Sequence, residues 1–306
     1  MSENGEVKSR RFRFKDLPGL LKRTAIAWND DDPWRQSAIV AYYAILALPG
    51  LLVIIIGMLS SLYGTEIVEG RVYEEIKNIM GASTAKSVES IFRNTRNGES
   101  SWVSTVIGIG ALVFGATGVF YHLQISLNRV WQVKSEPKNS ILQYLIDRTK
   151  SFGFVLVIGF LLLISFILTA MLNAFQGYIS RWIPDVAFFL LKISDVVISF
   201  GVITVLFALI FKYLPDVRIA WRSVWVGSFI TSSLFSIGKE VLSFYFGEAS
   251  PGSVYGAAGS IIIILLWVSY SCLILFFGAE FTWIYARHYG HSMAPRSHAR
   301  ALEPEA

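Results

Sequence analysis

Between Ala257 and Ala279 the chain carries no charged residue. At ~1.5 Å per residue a helix over that run measures roughly 34 Å, slightly more than the hydrocarbon core of a bilayer. Gly278-Ala279-Glu280 lies near its exit, and Trp283 and Tyr285 mark a headgroup level beyond it. Nothing else in the sequence constrains the fold as strongly, because an unbroken apolar segment of this length is stable only in lipid or deep inside protein. The composition favours lipid. Hydrophobic residues make up 54% of the chain and charged residues only 16%, well below the quarter or so usual for a soluble domain.

Five further segments read as membrane spans, giving an all-α, polytopic membrane fold with six transmembrane helices at about 37–62, 102–121, 151–172, 188–211, 220–238 and 257–283. The first is expected to kink at Pro49-Gly50, where proline removes a backbone donor. Residues 1–36 form a basic cytoplasmic tail. Within it Asp16, Pro18 and the apolar series Leu17, Leu20, Leu21, Ile26 and Trp28 predict a short amphipathic helix lying on an anionic leaflet. Between spans one and two, residues 64–100 are an extracytoplasmic segment of mixed charge. Val68, Val72, Ile76 and Ile79, then Val88, Ile91 and Phe92, predict two short amphipathic helices split at Gly81. In the second span Ala111 and Gly115 form a small-xxx-small pair that admits a neighbouring helix closely. Residues 37–286 thus form the membrane domain, and 287–306, basic and rich in small residues, a disordered cytoplasmic tail.

Orientation follows from the basic residues. Most of the 27 Lys and Arg fall in the N-terminus, the 122–150 loop, the 212–222 turn and the C-terminus. The positive-inside rule puts these on the cytoplasmic side, together with both termini. The net charge of +5 therefore calls for membrane lipids as partners rather than nucleic acid. No cleavable signal peptide is expected, since the first apolar run begins only near Ala38. The single cysteine, Cys272, lies inside the last apolar run and reads as helix packing. No phosphate-binding loop of the G-x-x-x-x-G-K-[ST] type occurs, so no ATPase of that class is expected.

Several stretches together resemble the YihY / virulence factor BrkB family of bacterial inner-membrane proteins, long mislabelled ribonuclease BN. They are Ala41-Tyr42-Tyr43-Ala44 followed by Leu48-Pro49, Asn128-Arg129-Val130-Trp131, and Leu214-Pro215-Asp216 with Trp221 ahead of Gly227. The last is Tyr255-Gly256 leading to Gly278-Ala279-Glu280. The resemblance runs from the first span to the last and departs in the tails. It implies a helical inner-membrane protein, generally regarded as transport-related, with no settled substrate.

Polar residues within or beside the spans are the candidates for function, because each is costly in lipid without a partner. Glu280 is either a proton, cation or amine acceptor, or a structural carboxylate paired with Arg129, Lys212 or Arg222. Asp195 and Lys239 fall at similar depth and form either an intramembrane ion pair or, for Lys239, a side chain reaching the headgroups. Pro49, Gly50, Tyr42, Tyr43 and the stripe Ser228, Ser232 and Ser236 either line a substrate pathway with Glu280, or represent a bend, interface tyrosines and close packing. His122, His288, His291 and His298 show no metal spacing, so neither a metal nor another cofactor is expected.

These readings predict a transporter or flippase-like permease for a small or amphiphilic substrate, including a lipid. It would be neither an enzyme nor an ATPase, and a homo-oligomer is compatible with it. The alternative is a structural or assembly protein acting through 64–100. Ribonuclease activity is not expected, for no acid/base or metal cluster lies in an aqueous segment.

Overall fold

The computed structural model describes residues 13–47, 70, 73–74, 77, 85–86, 89, 102–136, 184–249, 259–291 and 293–302. The predicted kink at Pro49-Gly50, the third span and the split at Gly81 lie outside these residues. Among the described residues are six long helices: α1 (Leu17–Asp30), α2 (33–47), α3 (Trp102–Val130), α4 (Pro184–Tyr213), α5 (Trp221–Ala249) and α6 (Gly259–His288). Four short strands join them, β1 (Val133–Ser135), β2 (Val217–Ile219), β3 (Met293–Pro295) and β4 (Ala299–Ala301), so the fold is mainly rather than wholly helical.

Two segments within these helices are long and apolar enough to cross a membrane, Val196–Tyr213 and Ile261–His288. Only 28% of the first is buried within the protein, where the core helix of a soluble domain would be mostly covered. Helix ends depart from the sequence-based bounds. α3 continues past residue 121 to Val130, because Leu123, Leu127 and Val130 recur at helical spacing and all three are buried. α5 likewise runs through Lys239 and Glu240 to Ala249. A change of polarity marks where lipid contact ends; it does not stop a helix that contains no proline.

The chain divides into two compact units. The first holds Met1–Ile26, Leu127–Ser233 and Phe277–Ala306, and the second holds Ala27–Ser126 and Leu234–Phe276.

In the first unit, Leu20 of α1 is buried against Phe281, Tyr285 and Tyr289. The Tyr289 hydroxyl donates to Asp16 Oδ2 over 2.9 Å. The expected surface helix is therefore docked on protein through this face, while Ile26 stays 56% exposed. Amphipathic spacing shows that one face seeks an apolar partner and leaves open whether that partner is lipid or protein.

The expected disordered tail is also corrected. β3 pairs antiparallel with β2 (Arg218 opposite Ala294), and β4 pairs with β1 (Lys134 opposite Arg300). Leu302 N–H donates to the Gln132 carbonyl at 2.8 Å and Glu136 N–H to the His298 carbonyl at 2.8 Å. Composition misjudged this segment because its order comes from distant strand edges and not from apolar residues of its own.

Also in this unit, α5 and α6 approach closely through a reciprocal motif. A Cβ on Gly227 would overlap the Thr282 hydroxyl, and one on Gly278 would overlap that of Thr231. Each threonine donates back one turn along its own helix, Thr231 to Gly227 O and Thr282 to Gly278 O, both at 2.7 Å. Both hydroxyls are thereby satisfied without water, which suits a crossing inside a membrane.

The second unit packs α2 on α3. A Cβ on Gly115 would meet the Ala47 backbone, so Gly115 of the small-xxx-small pair is a close-approach point, and one on Gly118 would overlap the Tyr43 ring. Elsewhere in this unit Phe246, Ile263 and Trp267 form an apolar cluster, and Trp28 Nε1 donates to the Leu273 carbonyl at 3.2 Å.

Candidate polar site in the first unit

Asp216 occupies the turn between α4 and β2 and is 0% exposed. A carboxylate without water is costly unless its oxygens are met by donors. Asn128, in the last turn of α3, supplies one from Nδ2 to Oδ2 at 2.9 Å and accepts the Asp216 backbone N–H on its own Oδ1 at 2.8 Å. His298 Nε2, from the turn between β3 and β4, lies 2.9 Å from Oδ1. The Asp216 carbonyl takes the Arg296 N–H at 2.9 Å. One buried residue thus ties together α3, the end of α4 and the C-terminal strands.

Around it, Trp131 Nε1 donates to the Ala279 carbonyl at 3.2 Å, and its ring meets Phe211 edge-on at 6.1 Å. The Arg296 guanidinium closes the C-terminus of α4 by donating to the Tyr213 carbonyl at 3.2 Å, where cations are favoured. Lys212 donates to the Ile219 carbonyl and lies over the Trp221 ring, 5.3 Å from its centroid. His291 Nδ1 is 2.6 Å from Ser223 Oγ. Burial first, and then the Arg222 charge, push the His291 pKa down, which favours a neutral ring at pH 7. Burial likewise pushes the Tyr289 hydroxyl up, and the Asp16 carboxylate adds to that shift.

The predicted site residues divide between the two units. Glu280 is buried in the first at 4% exposure, next to the Ala279 carbonyl that Trp131 engages. Ser228 and Ser232 are buried there at 0%, and among the described residues their Oγ atoms have no hydrogen-bond partner. Lys212, one of the three cations named for Glu280, donates to the Ile219 carbonyl; Arg129, in the last turn of α3, and Arg222, in the first turn of α5, are exposed residues. Asp195 belongs to α4, with its side chain outside those described. In the second unit Ser236 is partly buried, Lys239 Nζ lies 3.4 Å from Glu240, and Tyr42 is 57% exposed. Tyr43 stacks on His122 with ring centroids 4.8 Å apart. Pro49 and Gly50 lie outside the described residues. Among those described, no group of three His, Cys, Asp or Glu side chains could hold a metal ion.

Sequence reasoning used Asn128, Trp131 and Asp216 only as marks of resemblance, and it set His298 aside with the tail. The available signal was the acidic residue of the Leu214-Pro215-Asp216 turn that follows the apolar helix α4, where a solvated turn would carry several polar residues. The pair Gly227-x-x-x-Thr231 and Gly278-x-x-x-Thr282 was also visible.

No solved structure matches the chain. Relatives named UPF0761 membrane protein do. That of Pseudoalteromonas translucida is 25% identical over 88% of this chain and 86% of its own length. That of Alteromonas mediterranea is 24% identical over 88% and 87%. A third, from Pseudoalteromonas atlantica, reaches 32% identity over 58% of this chain and 56% of its own. The profile of the family described as Virulence factor BrkB matches residues 26–303, and so takes in the C-terminal strands as well as helices α2 to α6. The chain belongs to the virulence factor BrkB family and is an integral membrane protein.

Proposed function

We propose that the protein is a permease without its own ATPase, passing a small or amphiphilic solute across a bacterial inner membrane through six helices. Both termini are cytoplasmic in this reading. The observation that carries it is the pair Ser228 and Ser232, each fully buried with a hydroxyl unmatched among the described residues. Leaving a buried hydroxyl unmatched costs roughly 1–3 kcal/mol. A helix serving packing alone would be more stable with alanine there, so the cost fits a wall meant to meet a polar group in transit.

The same helix supports a further crossing. Trp221, Trp225, Phe229, Ile237, Val241 and Phe244 of α5 are 41–71% exposed. The helix from Trp221 to Phe244 measures roughly 35 Å at ~1.5 Å per residue, enough for a bilayer core, with aromatic side chains at both ends.

The test is flux in proteoliposomes, comparing labelled lipids with small solutes. The permease reading expects transport by the wild type and its loss in Glu280→Gln or Ser232→Leu variants that remain folded. Background flux in every case, with a defect appearing only when part of 64–100 is deleted, would favour an assembly role instead.

A further inference from the structure

The second unit contains a shallow groove of about 460 Å³ lined by Arg35, Ala38, Ile39, Tyr42, Tyr43 and His122. Its size is within the range of small-ligand sites. Four of the residues, at 35, 38, 39 and 42, follow helical spacing along one face of α2, with the guanidinium at one end and apolar surface below it. The face is about 10 Å long at ~1.5 Å per residue. The opposite wall is the Tyr43–His122 stack, seated close to α3 because position 118 is glycine.

Two neighbours fix the chemistry of the occupant. Trp34 beside Arg35 is 64% exposed, a placement typical of the headgroup level, and Tyr42 about two turns further on is 57% exposed. Arg35 Nε is held by Asp32 Oδ2 at 2.6 Å, but both side chains are open to solvent, at 62% and 47%. Such an exposed pair is weak and easily exchanged for a better anion. A phosphate oxygen pair matches the guanidinium fork, and a chain of methylenes matches the surface beneath.

We infer that this groove is a binding site for an anionic phospholipid, with the headgroup phosphate on Arg35 and the first part of an acyl chain against Ala38, Ile39 and Tyr42. The site stands independently of whether lipid is the transported species.

Native mass spectrometry of the full-length protein, titrated with phosphatidylglycerol, phosphatidylcholine or inorganic phosphate, tests it. The wild type is expected to hold phosphatidylglycerol about tenfold more tightly than phosphatidylcholine, whose choline cation offsets the charge of the phosphate that Arg35 would meet. Arg35→Gln should abolish that preference with unchanged thermal stability, since the side chain is exposed. Asp32→Asn should strengthen it by releasing the guanidinium, and asparagine tolerates the φ of 55° at this position. Equal retention of the two lipids by the wild type, an undiminished preference in Arg35→Gln, or displacement by millimolar inorganic phosphate would each overturn the assignment. Flux measured on the same preparations separates the two ideas. A lipid preference lost in Arg35→Gln with no flux from the wild type defeats the permease and leaves the site, whereas flux without lipid preference does the reverse.

Discussion

The two units are held by different kinds of force. In the first, a buried carboxylate, an amide, an indole and the C-terminal strands are joined by directional hydrogen bonds between residues far apart in sequence. In the second, glycines bring α2 and α3 into close contact and aromatic rings fill the remaining space. Directional bonds fail when one partner is removed, because the other is left buried and unmatched; shape-based packing fails when volume is added. The contrast gives the two units different leading weaknesses, although the crossing at Gly227 and Gly278 in the first is also closed to added volume, and substitutions can expose them.

The largest effect is expected for Asp216→Ala, which strands Asn128 and releases His298. A loss of about 3 kcal/mol or more, read from thermal unfolding in detergent, is expected for a buried polar centre broken from one side. Loss of less than about 1 kcal/mol would mean that the first unit does not depend on this residue. Leu20→Ala should cost about 2–4 kcal/mol and free the N-terminal helix to proteolysis, since the side chain is 2% exposed against Phe281 and Tyr285. For the second unit the sharper probe is Gly118→Ala. The added methyl meets the Tyr43 ring and should cost about 1–3 kcal/mol, whereas adding a methyl at the open position Gly201 should cost nothing of the kind.

The smallest effect is in pH. His291 has a folded pKa below its ordinary value, so it binds protons more readily when unfolded. Its contribution to stability is complete above about pH 6.5 and is lost as pH falls from there through the folded value. Unfolding of the wild type between pH 7.5 and pH 5 should show this slope, and His291→Gln should flatten it slightly. An unchanged slope would place the proton uptake elsewhere.

What the sequence made legible was what local pattern encodes. The charge-free run 257–279 and the apolar segment within 188–211 correspond to α6 and α4, and Gly115 proved to be a close-approach point. What it did not encode locally was invisible. Asn128 and Asp216 are 88 residues apart, and no periodicity links them. The strand order of the tail depends on edges contributed by β1 and β2, and the docking of Leu20 depends on the shape of the end of α6. Of the motif residues that signalled the family, Asn128 bonds Asp216 and Trp131 bonds the Ala279 carbonyl within the first unit, and the resemblance could register them without revealing that reason.

The central functional claim rests on two hydroxyls that cost stability. Flux and thermal unfolding of the double variant Ser228→Ala, Ser232→Ala, measured beside the wild type in proteoliposomes, test it most directly. The permease account predicts equal or higher thermal stability, by up to about 1–3 kcal/mol per relieved hydroxyl, together with flux reduced to the liposome background. Full flux retained by the stabilised variant would contradict it.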